Sequence, residues 1–167
     1  MMKRLFLLRH AKSSWDDPRL ADFDRPLNAR GQRAAPLMGR YLRDRKIRPD
    51  LILCSPAERA RQTVALLAEA AGLSAPLRYD ERIYEATATR LAEVVSQADE
   101  GAGTLLLVGH NPGLEELLEL LTGETRRMPT AALACVQLDT ERWAKLAPRS
   151  GRLEWHVKPK ELVDSSQ

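Results

Sequence analysis

The sequence predicts an α/β layer fold, because short continuous apolar runs alternate with apolar stripes at helical spacing. Four runs are nearly continuous and predict strands that are buried on both faces. They span residues 5–8, 51–54, 105–108 and 132–138. Residues 153–157 alternate apolar and polar side chains, as a half-exposed edge strand does, and residues 77–79 form a weaker sixth candidate.

Amphipathic stripes between these runs predict four helices. Their apolar faces are Leu37, Met38, Tyr41 and Leu42; Ala60, Val64, Leu67 and Ala71; Leu91, Val94, Val95 and Ala98; and Leu114, Leu117, Leu118 and Leu121. Pro36 lies in the first stripe, where it either kinks the helix or marks its start. Ser55 and Glu58 match a capping box, with Pro56 at the first helical position of the second helix.

The 167 residues suit one domain, which we place at residues 1–158, followed by a polar C-terminal tail at 159–167. Hydrophobic residues make up 44% and charged residues 29%, which is ordinary for a folded chain. No apolar run approaches the roughly 18 residues of a membrane-spanning helix, so no membrane partner is expected. Cys54 and Cys135 lie inside predicted strands as reduced cysteines, which favours a cytoplasmic location.

The charge distribution argues against nucleic acid as a partner, although the isoelectric point is about 9.1. Residues 1–50 carry 13 Lys and Arg against 6 Asp and Glu, whereas the rest of the chain carries 13 against 17. Aromatic residues are only 5% of the chain, and few interleave with the basic run. We interpret that run as the solvated face of a helix. It comprises Arg40, Arg43, Arg45, Lys46 and Arg48.

Polar side chains follow three of the predicted strands. Arg9 and His10 come directly after the first strand, and Arg59 lies near the start of the helix after the second. His110 follows residues 105–108, just before Asn111 and Pro112, which we expect to be the N-cap and first residue of a helix. The crevice beyond the carboxyl ends of the strands is where α/β sheets bind ligands. Because histidine can attack phosphorus and arginine binds phosphate oxygens bidentately, this set predicts phosphoryl chemistry.

Other chemistries lack their motifs in this sequence. A Walker A loop and a Gly-x-Gly-x-x-Gly fingerprint are both absent, so nucleotide cofactors have no support. Three unclustered histidines and no Cys pair at ligand spacing argue against a structural metal. Cysteine-based phosphatases need an arginine six residues after the thiolate, whereas Cys54 has Arg59 five and Arg61 seven residues on. His156 is placed on the polar face of the edge strand, where solvent exposure accounts for it.

These residues resemble the histidine phosphatase superfamily, the phosphoglycerate-mutase-like phosphatases. Its Arg-His-Gly signature is similar to Leu8-Arg9-His10-Ala11, with alanine in place of glycine. Its Ser-Pro-x-x-Arg-x-x-Gln-Thr segment matches residues 55–63 at every signature position, and its second histidine matches Gly109-His110-Asn111-Pro112. Arg25-Pro26-Leu27-Asn28 with Gly31 resembles the segment before the first helix. The similarity covers residues 5–138.

The resemblance implies a three-layer α/β/α sandwich with a mixed, mostly parallel six-stranded sheet. It implies that His10 is the nucleophile and forms a phosphohistidine intermediate that water cleaves. Arg9, Arg59 and His110 would hold the phosphoryl oxygens in the transition state. It also implies that no metal and no other cofactor is required, because these cations supply the electrostatic stabilisation.

The family's acidic proton donor usually follows the third strand. Glu81 is the candidate here and Glu85 the alternative, while either carboxylate could instead pair with Arg82. An imprecise match is tolerable for phosphohistidine, because its P–N bond breaks more easily than a bond to an alkoxide.

Within the superfamily, this short chain is most similar to the SixA-type phosphohistidine phosphatases. Only about ten residues separate Tyr79 from the next predicted helix, which leaves little room for a lid, and an open site suits a phosphate on the surface of another protein. The expected function is a metal-independent phosphatase that removes phosphate from phosphohistidine on a signalling or phosphotransfer protein. A small phosphomonoester is the alternative substrate, and a non-catalytic phosphate-recognising module is the alternative of a different class.

Overall fold

The computed structural model describes residues 2–165 and confirms the α/β prediction. All six predicted strands are present: β1 (Arg4–Arg9), β2 (Leu51–Cys54), β3 (Leu77–Tyr79), β4 (Thr104–Gly109), β5 (Leu133–Leu138) and β6 (Gly151–Val157). The helices are α1 (Ala29–Asp44), α2 (Glu58–Ala71), α3 (Ala88–Ser96), α4 (Gly113–Thr122) and α5 (Pro159–Ser165). Short 3-10 turns occupy Asp22–Asp24, Glu81–Ile83 and Trp143–Lys145.

The six strands form one mixed, mostly parallel sheet in the order β3-β2-β4-β1-β5-β6. The first four strands in this order pair in parallel, whereas β5 pairs antiparallel with both β1 and β6. The carboxyl ends of β1, β2 and β4 therefore lie side by side at one edge of the sheet. The antiparallel pairing brings the start of β5 and the end of β6 to that same edge.

Helices cover both faces of the sheet and enclose two apolar cores. On β1, Leu5 and Leu7 face the core formed with α3 and α4, whereas Phe6 and Leu8 face the core formed with α1 and α2. These four side chains are at most 1% exposed. A strand that is apolar at every position is thus explained by burial on both faces, as the sequence predicts.

The starts of the helices differ in part from the sequence prediction. Helix α1 begins at Ala29 after an Asn28 cap, whose side chain accepts a hydrogen bond from the N–H of Gly31, so Pro36 lies inside the helix and does not mark its start. The predicted capping box of α2 is wrong, because the helix begins at Glu58 and the Ser55 hydroxyl lies against a histidine ring.

The predicted N-cap of α4 is also wrong. The helix begins at Gly113, with Pro112 in the N-cap position. The Asn111 side chain does not cap the helix, because its amide nitrogen donates to the Met128 carbonyl oxygen at 2.8 Å and to the Glu115 carboxylate at 2.9 Å. Asn111 therefore joins α4 to the segment before β5.

Residues 159–165, which lie in the predicted polar tail, form α5. Leu162 supplies the apolar contact of this helix, since it packs against the core on the α1 and α2 side of the sheet. Residues 166 and 167 of the predicted tail lie outside the described residues. No helix within residues 2–165 is both long enough and apolar enough to cross a membrane.

Candidate active site

The carboxyl ends of β1, β2 and β4 bring the four predicted site residues together. His10 follows β1, and its ring centroid lies 5.1 Å from that of His110, which follows β4. Arg59 stands in the first turn of α2, and its Nε lies 3.4 Å from Nε2 of His10. Arg9, the last residue of β1, completes the group.

His10 has a neutral ring whose Nε2 lone pair accepts a hydrogen bond from Nε of Arg59 at 3.4 Å. Its Nδ1 lies 2.7 Å from the carbonyl oxygen of Ala11, which fixes the proton on Nδ1 and leaves the lone pair on Nε2. Burial lowers the pKa of His10 to about 3, and the charges of His110, Arg59 and Arg9 act in the same direction. The imidazole is therefore neutral near pH 7, with one proton on Nδ1, and this is the form that a nucleophile needs.

His110 is held by a serine that the sequence motif contains. Nε2 of His110 lies 2.7 Å from Oγ of Ser55, a side chain with no exposed surface. That hydroxyl already accepts a hydrogen bond from the N–H of Ala57, so its own hydrogen is available to Nε2. Burial, followed by the charge of Arg59, lowers the pKa of His110 to about 4. With Ser55 as donor to Nε2, the neutral ring carries its hydrogen on Nδ1, a buried atom that has no hydrogen-bond partner within residues 2–165.

Arg59 is buried and held by one acidic residue. Its Nη1 donates to the main-chain oxygen of Asp22 at 2.7 Å, and its Nη2 donates to the carboxylate of the same residue at 3.0 Å. Asp22 also accepts from Nε and Nη2 of Arg25 and from the hydroxyl of Tyr84. Partial burial opposes ionisation of Asp22, but the Tyr84 hydroxyl and the two arginines outweigh it and lower its pKa to about 2.

Arg9 retains donors that face no protein acceptor. Its Nη1 donates to the carbonyl oxygen of Met128 at 3.1 Å, whereas its buried Nε has no partner within residues 2–165. Burial is the main cause of the lowered pKa of Arg9, and the charge of Arg59 adds to it. The positive charges of Arg9 and Arg59 therefore act on each other, which favours the binding of an anion beside them.

The last two residues of the 55–63 motif join separate loops. The hydroxyl of Thr63 accepts from the N–H of Ala11 at 2.9 Å and donates to the carbonyl oxygen of Arg59 at 2.7 Å. The side-chain oxygen of Gln62 accepts from the N–H of Leu27 at 2.8 Å. Arg59 of this motif therefore lies in the site, whereas Gln62 and Thr63 bind the main chain of the segments around it.

Gly31 allows α1 to approach the chain that follows His10. A Cβ atom at Gly31 would lie 2.2 Å from the main-chain oxygen of Lys12, far inside contact distance. Only glycine fits this approach without moving the backbone. Gly31 thus lets α1 pack directly against the segment that follows His10, the predicted nucleophile.

The two predicted proton donors do not join the cluster. Glu81 and Glu85 are exposed and, with Tyr84 and Arg90, line a shallow depression of about 200 Å³ beside the site. Arg82, their suggested alternative partner, instead pairs with Asp80 at 2.7 Å. The carboxylate that contacts the site is Asp22, which the sequence analysis missed, although it stands three residues before Arg25 of the matched segment.

Two further predictions have clear outcomes within the described residues. His156 is half-buried, and burial lowers its pKa, so solvent exposure does not account for it. Cys54 is a buried free thiol whose pKa is raised by burial, in line with its assignment to a strand. No group of three or more His, Cys, Asp or Glu side chains in residues 2–165 is arranged to hold a metal ion.

The arrangement suits the capture and transfer of a phosphoryl group. A neutral imidazole, that of His10, lies against the buried guanidinium of Arg59 and beside a second neutral imidazole, with the half-buried guanidinium of Arg9 nearby. Phosphoryl transfer needs a positioned nucleophile and fixed positive charge around the phosphoryl oxygens, and both are present here.

Comparisons with known proteins agree with this chemistry. Residues 5–91 match the model of the histidine phosphatase superfamily (branch 1). A solved structure from Agrobacterium tumefaciens, assigned to the SixA phosphohistidine phosphatases, is 34% identical with a TM-score of 0.80, over 95% of this chain and 99% of that one. The protein histidine phosphatase SixA complexed with tungstate is 25% identical with a TM-score of 0.82, over 95% and 99% of the two chains. The phosphohistidine phosphatase SixA of Escherichia coli is 28% identical over 160 residues, which cover 93% of this chain and 94% of that protein.

Proposed function

The chain belongs to the histidine phosphatase superfamily, and from that premise we propose that it hydrolyses phosphohistidine on a protein, with His10 as the nucleophile. The proposal rests on one observation, the tautomer and neutral charge of the His10 ring. Its Nδ1–H is bound to the Ala11 carbonyl, and its ring is kept neutral by a pKa of about 3. Nε2 is therefore ready to attack phosphorus.

In the first step, the lone pair of Nε2 forms a bond to phosphorus as the P–N bond of the substrate breaks. The electron pair of that bond leaves with the substrate imidazole, which departs as a neutral ring when its other nitrogen carries a proton. Arg9, Arg59 and Nδ1–H of His110 stabilise the charge on the three phosphoryl oxygens. Water then attacks the phosphorus of phosphorylated His10, so that inorganic phosphate and free His10 are released.

The protonation states around the site favour a leaving group that needs little acid. Glu81 and Glu85 are exposed, and the carboxylate of Asp22 is ionised and bound to Arg59 and Tyr84. An alkoxide needs protonation as it leaves, whereas the imidazole of phosphohistidine does not. The names of the SixA relatives point to the same substrate class. The partner protein and the cytoplasmic location stay predictions.

The test compares kcat/KM for phosphohistidine and for an alkyl phosphate such as glycerol phosphate, with a chelator present throughout. We expect hydrolysis of phosphohistidine to be faster and the chelator to have no effect, because the arginines replace a metal. Alkaline quenching followed by mass spectrometry should find phosphate on His10, and His10→Ala should abolish both turnover and labelling. His156→Ala is the matched control and should retain both. Faster hydrolysis of the alkyl phosphate would favour a small phosphomonoester instead.

Glu81→Gln and Glu85→Gln test the proton donor. Each substitution should leave phosphohistidine hydrolysis within about twofold of the unmodified protein, while alkyl phosphate hydrolysis should fall in the variant that lacks the donor. Equal and large losses with both substrates would show that an acid is obligatory. That result would contradict the preference for phosphohistidine.

A further inference from the structure

Three large apolar side chains are exposed along one stretch of the segment between β1 and α1. Trp15 is 73% exposed, Leu20 39% and Phe23 38%. They are half of the six large hydrophobic side chains that are exposed within residues 2–165. We call these three side chains the apolar rim.

Contacts tie the apolar rim to the catalytic cluster. The ring of Trp15 lies 3.4 Å from the guanidinium of Arg25, which holds the Asp22 carboxylate. The ring of Phe23 meets that of Tyr84 edge-on at 5.1 Å, and Tyr84 in turn meets His110 at 5.5 Å. Through Trp15 and Phe23 the apolar rim therefore borders the entrance to the site, and Leu20 lies between these two residues in the sequence.

We propose that the apolar rim binds apolar residues that flank the phosphorylated histidine in a protein substrate, an inference that rests on the proposed function. His10 is only 6% exposed, so the phosphorylated side chain must enter the site while its neighbours in the chain lie across the entrance. Removing exposed aromatic rings and leucine side chains from water is favourable in free energy, so apolar side chains of a partner can cover them. A free phosphorylated metabolite has too few apolar atoms to cover three side chains spread over residues 15–23.

The charges around the rim favour an apolar partner over a charged one. Asp17 and Arg19 lie between Trp15 and Leu20 and pair with each other at 3.0 Å. Asp22 is paired with Arg25 and Arg59. Asp16 and Asp24 are the exposed carboxylates of residues 15–25 that form no ion pair within the described residues, and this small negative charge selects only weakly for a charged partner. The apolar rim can therefore bind a partner mainly through contacts between apolar side chains.

The test uses two synthetic peptides that share one central phosphohistidine, prepared with phosphoramidate. One peptide carries leucines beside the phosphohistidine, and the other carries serines at the same positions. We expect the protein to hydrolyse the leucine peptide with about tenfold higher kcat/KM, mainly through a lower KM. Leu20→Ser should reduce this preference while leaving kcat/KM for free phosphohistidine unchanged.

Matched controls come from β3, the edge strand that β2 and β4 separate from β1. Leu77 and Tyr79 are 39% and 40% exposed, close to the values of Leu20 and Phe23, and they lie on β3. Leu77→Ser and Tyr79→Ser should keep the full preference for the leucine peptide. Equal rates for both peptides in the unmodified protein, or a preference that survives Leu20→Ser, would overturn the proposal. Failure to hydrolyse either peptide would instead show that the proposed function itself is wrong, and the proposal with it.

Discussion

Replacing Ser55 by alanine should uncouple His110 from the phosphoryl group while leaving the fold intact. Oγ of Ser55 lies 2.7 Å from Nε2 of His110 and also accepts the N–H of Ala57. In Ser55→Ala, Nε2 loses its donor in a fully buried place. The ring is then free to carry its proton on Nε2, which would turn a lone pair of Nδ1 toward the phosphoryl oxygens.

The size of the effect follows from that buried, unpaired nitrogen. Leaving one buried polar group without its hydrogen bond costs about 1 to 3 kcal/mol. Ser55 has no exposed surface, so solvent does not reduce this cost. If the lost bond acts in the transition state, the same energy corresponds to a fall of roughly 5- to 150-fold in kcat, with little change in KM.

Steady-state kinetics on phosphohistidine, urea unfolding and ¹⁵N spectra of the histidine rings measure the three consequences separately. In the unmodified protein, the spectra should show the proton of His110 on Nδ1 at pH 7, and in Ser55→Ala a mixture of both tautomers. A proton on Nε2 of His110 in the unmodified protein would refute the assigned direction of the hydrogen bond. So would a kcat for Ser55→Ala within twofold of the original.

Three further predictions use other parts of the site. Arg59→Lys should lose about 2 to 4 kcal/mol of transition-state stabilisation, measured from kcat/KM, although the charge is kept, because an ammonium cannot reproduce the planar guanidinium fork. A near-normal kcat/KM would show that Arg59 does not bind the phosphoryl group. As the pH falls from 6.5 to 5, the free energy of unfolding should fall by up to about 1.4 kcal/mol per pH unit for each of His10 and His110, because their pKa values of about 3 and about 4 let mainly the unfolded chain take up protons; urea unfolding that is independent of pH in this range would contradict this. Gly31→Ala should lower the free energy of unfolding by about 2 kcal/mol, because its Cβ would lie 2.2 Å from a main-chain oxygen; Gly103→Ala, whose Cβ meets its nearest neighbour at 3.5 Å, is the control and should change it less.

The strands and the convergence of the four candidate site residues could be predicted because their signals are local. A continuous apolar run has to be buried on both faces of a sheet, and a polar residue directly after it has to lie at the strand end. His10 and His110 follow such runs in β1 and β4, so their convergence needs only the rule that carboxyl ends of parallel strands share an edge.

The remaining contacts depend on side chains that are distant in sequence. Asp22 lies in a segment without apolar periodicity, and its partners Arg59 and Tyr84 are 37 and 62 residues away. Ser55 matches a capping box locally, but its hydroxyl bonds to His110, 55 residues on, and the distant contact replaces the local one. Patterns of neighbouring residues contain no information about such pairs.

The order of strands in the sheet also determines when the catalytic group can exist during synthesis. Both neighbours of β1 come late in the chain, since β4 begins at Thr104 and β5 at Leu133. A nascent chain of about one hundred residues thus holds His10 and Arg59 but has no strand to pair with β1. Its four core leucine and phenylalanine side chains stay uncovered until β4 inserts between β1 and β2. Insertion of β4 also delivers His110, so the candidate site cannot be complete before the sheet closes.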